Sequence, residues 1–393
     1  MTQDEKGDNL NIRVVSIGSD RELFVAGSSV SSRIREYAEQ FSELHIIVFA
    51  LSSLGLDTIK ISQNCWVHPT NSSDKLSYIS DALGIGKMIL GRLFFGKSVV
   101  TSQDPFESGL VGWWLKKKFS VPLQLQIHTD LFNPYFYNSS WLNFFRVGLA
   151  RFLLPRADGI RVVSKRIKGD ILSRFKKILP EKILVLPIFV DIEKIKLSPV
   201  AVSLKFKYKQ WERIVLMISR LMPEKNIPFA LHVFKDVARK HPEFGMVIVG
   251  RGGEEFKLKR LVKNLGLDKN VVFEPWQQNV YSYYKTADLF FNTSIFEGYG
   301  MTIVEAAISG SPILTSDVGC ARDLIKDGES GFICPVNDHV CFVRKMTNVL
   351  NNQSVSDLFR RNITESADNS LIPKNQYLFE YKNSIVSILE KNL

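Results

Sequence analysis

The densest chemistry in this sequence lies in Phe296–Gly310, FEGYGMTIVEAAISG, just after an apolar run, DLFFNTS, that reads as a strand. Gly298 and Gly300 permit a tight turn and a close approach of backbone to a ligand. The helix expected over Met301–Ala307 offers unpaired backbone N–H groups at its start, a ready seat for phosphate. Glu297 precedes the turn. Glu305 falls inside an otherwise apolar helix, where a carboxylate needs a hydroxyl or cationic partner. A second stretch, Ser219–Asn226 (SRLMPEKN), follows another apolar run. Arg220 and Lys225 sit in its strand-to-helix loop. Two fixed cations there suit a diphosphate, with Arg donating in fork geometry and Lys acting as a point charge. In a third stretch, QIHTD, His128 stands at the C-terminal end of an expected parallel strand, where open α/β sheets bind ligands, and Asp130 is placed to orient it. A fourth, Gly250-Arg-Gly-Gly253, follows the run MVIV and resembles a nucleotide loop.

Several motifs are missing. Position 255 is Glu, so the loop at Gly250 fails the dinucleotide fingerprint G-x-G-x-x-G, and Gly18-Ser-Asp after the first strand fails it too. No G-x-x-x-x-G-K-[ST] occurs. A dehydrogenase and a P-loop enzyme are therefore disfavoured. No Asp-x-Asp pair occurs either, which removes the usual carboxylate pair for a metal-bound nucleotide sugar; no metal or other cofactor is expected.

The elements that must position these residues alternate. Ile12–Ile17, His45–Ala50, Val99–Ser102, Leu123–Ile127, Ile160–Val163 and Ile183–Leu186 read as strands, and Val30–Phe41 as a helix. The polar stretch Asp191–Lys207 reads as a linker. Strands follow at Ile214–Ile218, Met246–Val249, Val271–Phe273, Leu289–Asn292 and Pro312–Thr315. Helices are expected at Ala230–Lys240, Glu255–Leu265 and Met301–Ala307. Strands alternating with helices imply βαβ units and parallel sheets. Two such series predict an α/β protein with two Rossmann-like domains, residues 1–200 and 201–374, whose parallel sheets face a central cleft. Residues 375–393 read as a closing helix packed on the first domain.

The chain has 393 residues, 45% of them hydrophobic and 23% charged, which is the composition of an ordered globular protein. Four scattered cysteines without Cys-x-x-Cys spacing argue against a disulfide scaffold and fit a reducing cytosol. The polar N-terminus lacks an apolar signal segment, and no apolar run is long enough to span a bilayer. Net charge is +11. Three basic stretches are rich in apolar residues: GKMILGRLFFGK (Gly86–Lys97), Trp113 and Trp114 followed by Lys116, Lys117 and Lys118, and WLNFFRVGLARFLLPR with Arg146 and Arg151. Aromatic residues beside cations suit an anionic membrane surface. No nucleic-acid-binding signature accompanies the charge, so no nucleic-acid partner is expected. The expected location is cytoplasmic and peripheral, on the inner face of the cell membrane.

The two glutamates of FEGYGMTIVEAAISG, with Arg220 and Lys225 upstream, resemble the retaining glycosyltransferase family 4, the glycosyl transferases group 1. ADGIRVVSKRI, LPIFVDIEKI and SDVGCARDLIKDGESGFICPVND extend the resemblance over nearly the whole chain, although Ile188 and Phe189 replace a common Asn-Gly. The resemblance implies the two-domain GT-B fold. It implies that Arg220 and Lys225 bind the donor diphosphate and stabilise the leaving group, and that Glu297 contacts donor-sugar hydroxyls. Backbone groups from Gly298 through Tyr299, Gly300 and Met301 to Thr302 would support sugar and phosphate. Glu305 would hold the ribose, with His128 near the reacting centre, Gly27 near the diphosphate and Gly250 in the donor site. The implied activity moves a hexose, with retention and without metal, from a UDP- or GDP-sugar to a glycan acceptor. The basic aromatic stretches suggest that this acceptor is lipid-linked, as in surface polysaccharide or lipopolysaccharide synthesis. A GT-B relative with other chemistry, such as a sugar-nucleotide epimerase or a phosphorylase, and a non-enzymatic sugar- or nucleotide-binding protein remain the alternatives.

Overall fold

A computed structural model describes residues 11–277 and 279–390. The chain divides into two compact units, Met1–Pro187 with Asn375–Leu393, and Ile188–Lys374.

The first unit is built on an eight-stranded sheet in the order β3-β4-β2-β1-β5-β6-β7-β8. Its strands are β1 (Ile12–Gly18), β2 (Glu43–Val48), β3 (Ile59–Ser62), β4 (Cys65–Pro69), β5 (Lys97–Ser102), β6 (Leu123–Ile127), β7 (Gly159–Val162) and β8 (Ile183–Val185). All neighbours are parallel except β3 and β4. Every residue of β1 and β6 is buried, as expected of parallel strands covered on both faces. The hairpin β3–β4 was not among the expected strands. It is an edge pair whose Trp66 stacks on, and whose His68 bonds to, His45 of β2.

The helix Lys374–Glu390 buries Tyr377, Tyr381, Ile385 and Ile388 in this first unit. Tyr381 stacks on Tyr37 at 4.4 Å, and Gln124 Nε2 donates to the Ser384 carbonyl at 3.0 Å. Gly159 lets the helix sit close on β7, because a Cβ there would lie 2.5 Å from Ile388 Cδ1.

The second unit has six parallel strands in the order β11-β10-β9-β12-β13-β14. They are β9 (Arg213–Ile218), β10 (Phe244–Val249), β11 (Val271–Glu274), β12 (Leu289–Asn292), β13 (Ile313–Ser316) and β14 (Phe332–Cys334). Strand order reverses between β9 and β12. Such a switch point opens a crevice beyond the carboxyl ends of the two strands. Fully buried Phe234, Phe291 and Phe342 anchor the core below it, each contributing roughly 1.5–3 kcal/mol by burial.

Two expectations need correction. The stretch Asp191–Lys207 is not a loose linker. It forms the helices Ile192–Leu197 and Leu204–Lys207 and belongs to the second unit, so the division falls after Pro187 rather than after residue 200. Its polarity is satisfied by buried acids: Lys207 Nζ lies 2.7 Å from Glu274 and Lys205 Nζ 3.0 Å from Asp288. The cysteines are not all free thiols either. Cys334, closing β14, is bonded to Cys341 in the first turn of His339–Asn351, while Cys65 and Cys320 are free and buried. The short strand-to-helix connection brings the pair together, and no Cys-x-x-Cys pattern marks it.

Candidate active site

Both stretches expected to do chemistry leave the sheet at the switch point of the second unit. Ser219–Asn226 follows β9, and the turn at Glu297 follows β12. Asn226 takes a left-handed φ of 53°, a conformation Asn tolerates, and turns the chain into the helix Ile227–Ala238. The two loops are fastened together. Ile295 N–H donates to the Glu224 carbonyl at 2.9 Å, and Thr293 Oγ1 to that of Lys225 at 3.0 Å. This fastening sets Lys225 Nζ 2.5 Å from Glu297 Oε1, and the Ser294 hydroxyl lies 2.7 Å from the same oxygen. Both charged side chains are largely sheltered, at 13% and 14% exposure.

Arg220 behaves differently. Its side chain is 70% exposed, and Nη2 lies 3.1 Å from Glu224 Oε1. Each expected cation therefore already holds a carboxylate, and the Glu224 partner was not foreseen.

Gly300, at φ 93°, starts the helix Met301–Ile308, whose first turn has no side-chain cap. Tyr299 is buried, and its carbonyl accepts from Cys320 N–H at 2.8 Å. Gly319, at φ 53°, makes that contact possible, because a Cβ there would lie 2.3 Å from the Tyr299 oxygen and 3.1 Å from Glu297 Cβ. Gly319 thus supports the Glu297–Gly300 turn from β13. Gly298, Met301 and Thr302 are half-buried on the same turn. One turn into the helix, Glu305 accepts from the Tyr284 hydroxyl at 3.0 Å, the hydroxyl partner its position required. Burial raises its pKa to about 6, against a lowering by the Tyr284 bond.

Gly250 is needed for packing. A Cβ there would fall 1.9 Å from the Ser219 carbonyl oxygen, so the loop after β10 lies directly on the Arg220 loop. Beside it is a pocket of about 480 Å³, lined by Arg251, Glu255, Lys259, Phe273 and Trp276 among others. Trp276, 46% exposed, is an aromatic wall that the sequence did not single out.

His128 and Gly27 belong to the first unit. His128 follows β6, and its Nε2 is buried without a hydrogen-bond partner among the described residues. Burial, followed by the charges of Arg161 and Arg33, depresses its pKa to about 3, so the ring is neutral near pH 7. Asp130 does not orient it. The Asp130 carboxylate instead accepts from Asn133 Nδ2 at 3.3 Å. Arg161, missed in the sequence, is 4% exposed on the neighbouring strand. It donates to Gln126, to the carbonyls of Leu186 and Pro187, and to the Tyr377 hydroxyl. Gly27 is exposed at φ 72°, ahead of the helix Ser29–Ala38, so its backbone conformation, not crowding, favours glycine.

The basic aromatic stretches divide. Lys116 Nζ is held 2.6 Å from Asp158, and Arg146 Nε 2.9 Å from Glu107, so both are structural ion pairs rather than free surface cations. Lys117, Lys118 and Arg151 are exposed and make no ion pair among the described residues. Trp114 is 53% exposed, whereas Trp113 is half-buried, 5.2 Å from Phe152.

Two Rossmann-like units built on parallel sheets, with a charged crevice at the switch point of the second, have the GT-B architecture. Residues 204–369 match the family described as glycosyl transferases group 1, and residues 61–188 match the glycosyl transferase 4-like domain. The chain belongs to these glycosyltransferases. It is 26% identical over 241 residues to alpha-monoglucosyldiacylglycerol synthase of Streptococcus pneumoniae, covering 58% of this chain and 54% of that protein. It is 27% identical over 224 residues to N-acetylgalactosamine-N,N'-diacetylbacillosaminyl-diphospho-undecaprenol 4-alpha-N-acetylgalactosaminyltransferase of Campylobacter jejuni, covering 56% and 58%. The chain thus spans little more than half the length of either relative. Among solved structures, HepE of Anabaena, in complex with UDP and glucose, shares the fold with a TM-score of 0.73 and 17% identity, over 96% of this chain and 99% of that one.

Proposed function

We propose that this protein transfers a hexosyl group from a nucleoside-diphosphate sugar to a glycan acceptor, with retention and without a metal. The observation that carries the reading is the sheltered Lys225–Glu297 pair beside an uncapped helix start at the switch point. As the bond from C1 to the β-phosphate oxygen breaks, its electron pair stays on the phosphate. Lys225, Arg220 and the N–H groups of Met301 and Thr302 stabilise that charge. The acceptor oxygen attacks C1 from the same face, and its proton passes to the departing phosphate oxygen. Glu297 orients sugar hydroxyls, Glu305 accepts from the ribose, and Trp276 stacks on the base.

A lipid-linked acceptor, surface-glycan synthesis and a peripheral place on an anionic membrane complete the reading. The two relatives' names, which refer to a diacylglycerol and to a diphospho-undecaprenol, support the acceptor class. Among the described residues no helix is long and apolar enough to cross a membrane.

The test is a thermal-shift panel of UDP- and GDP-sugars with NAD and phosphate as controls. A ligand that binds only the folded state raises Tm. One nucleotide sugar should raise it, and Arg220→Ala should abolish the shift. A shift with NAD alone, or none at all, would sink the reading. Turnover unchanged by EDTA, giving a product with the donor's anomeric configuration, tests the finer chemistry.

A further inference from the structure

The helix Trp141–Leu153 is apolar on both sides. Val147, Ala150 and Leu153 face inward and are buried. An outward face is ordinarily polar. Here Trp141 is 82% exposed, Leu142 53%, Phe145 67% and Phe152 38%. Trp141, Phe145, Gly148 and Phe152 recur at helical spacing and form one stripe along the whole length. No acid occurs between Trp141 and Arg156. Arg151 flanks the stripe, and the Arg156 guanidinium sits 3.8 Å over the Phe152 ring. The packed neighbour Glu107–Phe119 adds exposed Trp114, Lys117 and Lys118 at the same border.

We infer that this face is a bilayer-docking surface, on which the helix Trp141–Leu153 lies in the plane of an anionic membrane with Trp141, Leu142, Phe145 and Phe152 inserted at headgroup depth. The charge selects the occupant. A second copy of this chain, paired by two-fold symmetry, would set Lys117, Lys118, Arg151 and Arg156 against their own kind. Anionic headgroups meet the same cations favourably, and Trp and Phe suit the interface. The geometry also selects the orientation. A crossover helix runs antiparallel to its strands, so this one lies along the sheet. It begins near the carboxyl end of β6, where His128 stands. A bilayer along the stripe therefore passes close to the end of the sheet where a lipid-linked acceptor is needed. In this the inference rests on the reading above.

Full-length protein is sedimented with phosphatidylcholine vesicles carrying about 30% phosphatidylglycerol. Wild type should sediment, and the combined Trp141→Ser, Phe145→Ser, Phe152→Ser variant should partition about tenfold or more weakly. Its nucleotide-sugar Tm shift should persist, which separates lost docking from lost folding. A wild type that stays in the supernatant, or a variant that binds equally well, overturns the inference. In parallel, brominated lipid should quench wild-type tryptophan fluorescence, and Trp141→Phe should remove part of that quench. An unchanged quench also overturns it. Failure of the glycosyltransferase reading would appear separately, as a missing nucleotide-sugar shift with vesicle binding intact.

Discussion

Glu305→Gln isolates the electrostatic cost built into the site. Burial raises the Glu305 pKa from 4.5 to about 6. For a group whose folded pKa lies above its unfolded value, the associated stability is present below the unfolded pKa and is lost as pH rises through the folded one. The window is therefore pH 4.5 to about 6. At 1.36 kcal/mol for each pH unit between the two values, ionised Glu305 costs about 2 kcal/mol at pH 7 relative to the fully protonated protein. Glutamine keeps an acceptor for Tyr284 and cannot ionise. The stability of Glu305→Gln relative to wild type should therefore rise by about 1.6 kcal/mol between pH 4.5 and 7, whatever constant offset its amide adds. Urea unfolding at closely spaced pH values reads the difference directly. Under the proposed function, the same variant should bind UDP or GDP about tenfold or more weakly at pH 7, because a charged acceptor is lost. Parallel stability curves for the two proteins across the window would refute the reasoning.

Lys225→Met should leave Glu297 sheltered without its cation, lowering stability by about 1–3 kcal/mol and turnover about a hundredfold or more, read by urea unfolding and by donor turnover. Gly319→Ala should cost about 1–2 kcal/mol for its left-handed backbone alone, and more for the clash with the Tyr299 carbonyl. It should lower Tm and donor affinity together. His128, with a pKa near 3 against 6.5 unfolded, contributes stability that is present above pH 6.5 and is lost as pH falls toward 3. His128→Gln should accordingly flatten the acid limb of the stability curve in that range, and the wild-type pH–rate profile should show no His128 limb between pH 5 and 8.

The legible parts of this protein share one cause. β9, β10 and β12 announce themselves because parallel strands covered on both faces are short, nearly continuous apolar runs. The Lys225 loop and the Glu297 turn are legible because each carries its own signal within a few residues, cations just after an apolar run in one and glycines just before a helix start in the other. The parts that escaped depend on partners distant in sequence. The hairpin β3–β4 reads poorly until β2 is beside it. Gly319 matters only because the β13 loop meets Tyr299, and Arg161 only because Gln126, Pro187 and Tyr377 converge on it. The Asp191–Lys207 stretch looked like a linker because Glu274 and Asp288, which bind its lysines, lie more than sixty positions further on. Lys116 and Arg146 read as free cations for the same reason, since Asp158 and Glu107 stand far from them in the chain.

The helix Lys374–Glu390 has a consequence for biosynthesis. It completes the first unit yet follows the second in the chain, so a nascent first unit must wait until the whole second unit has left the ribosome. During that interval Tyr37, Gln124 and Arg161 lack the covering that Tyr377, Tyr381 and Ser384 later provide. The second unit, contiguous from Ile188 to Lys374, has no such debt to a later segment. Order of emergence and order of completion are thus inverted. Residues 1–187 expressed alone should aggregate or bind a hydrophobic dye, and supplying a 374–393 peptide in trans should suppress this.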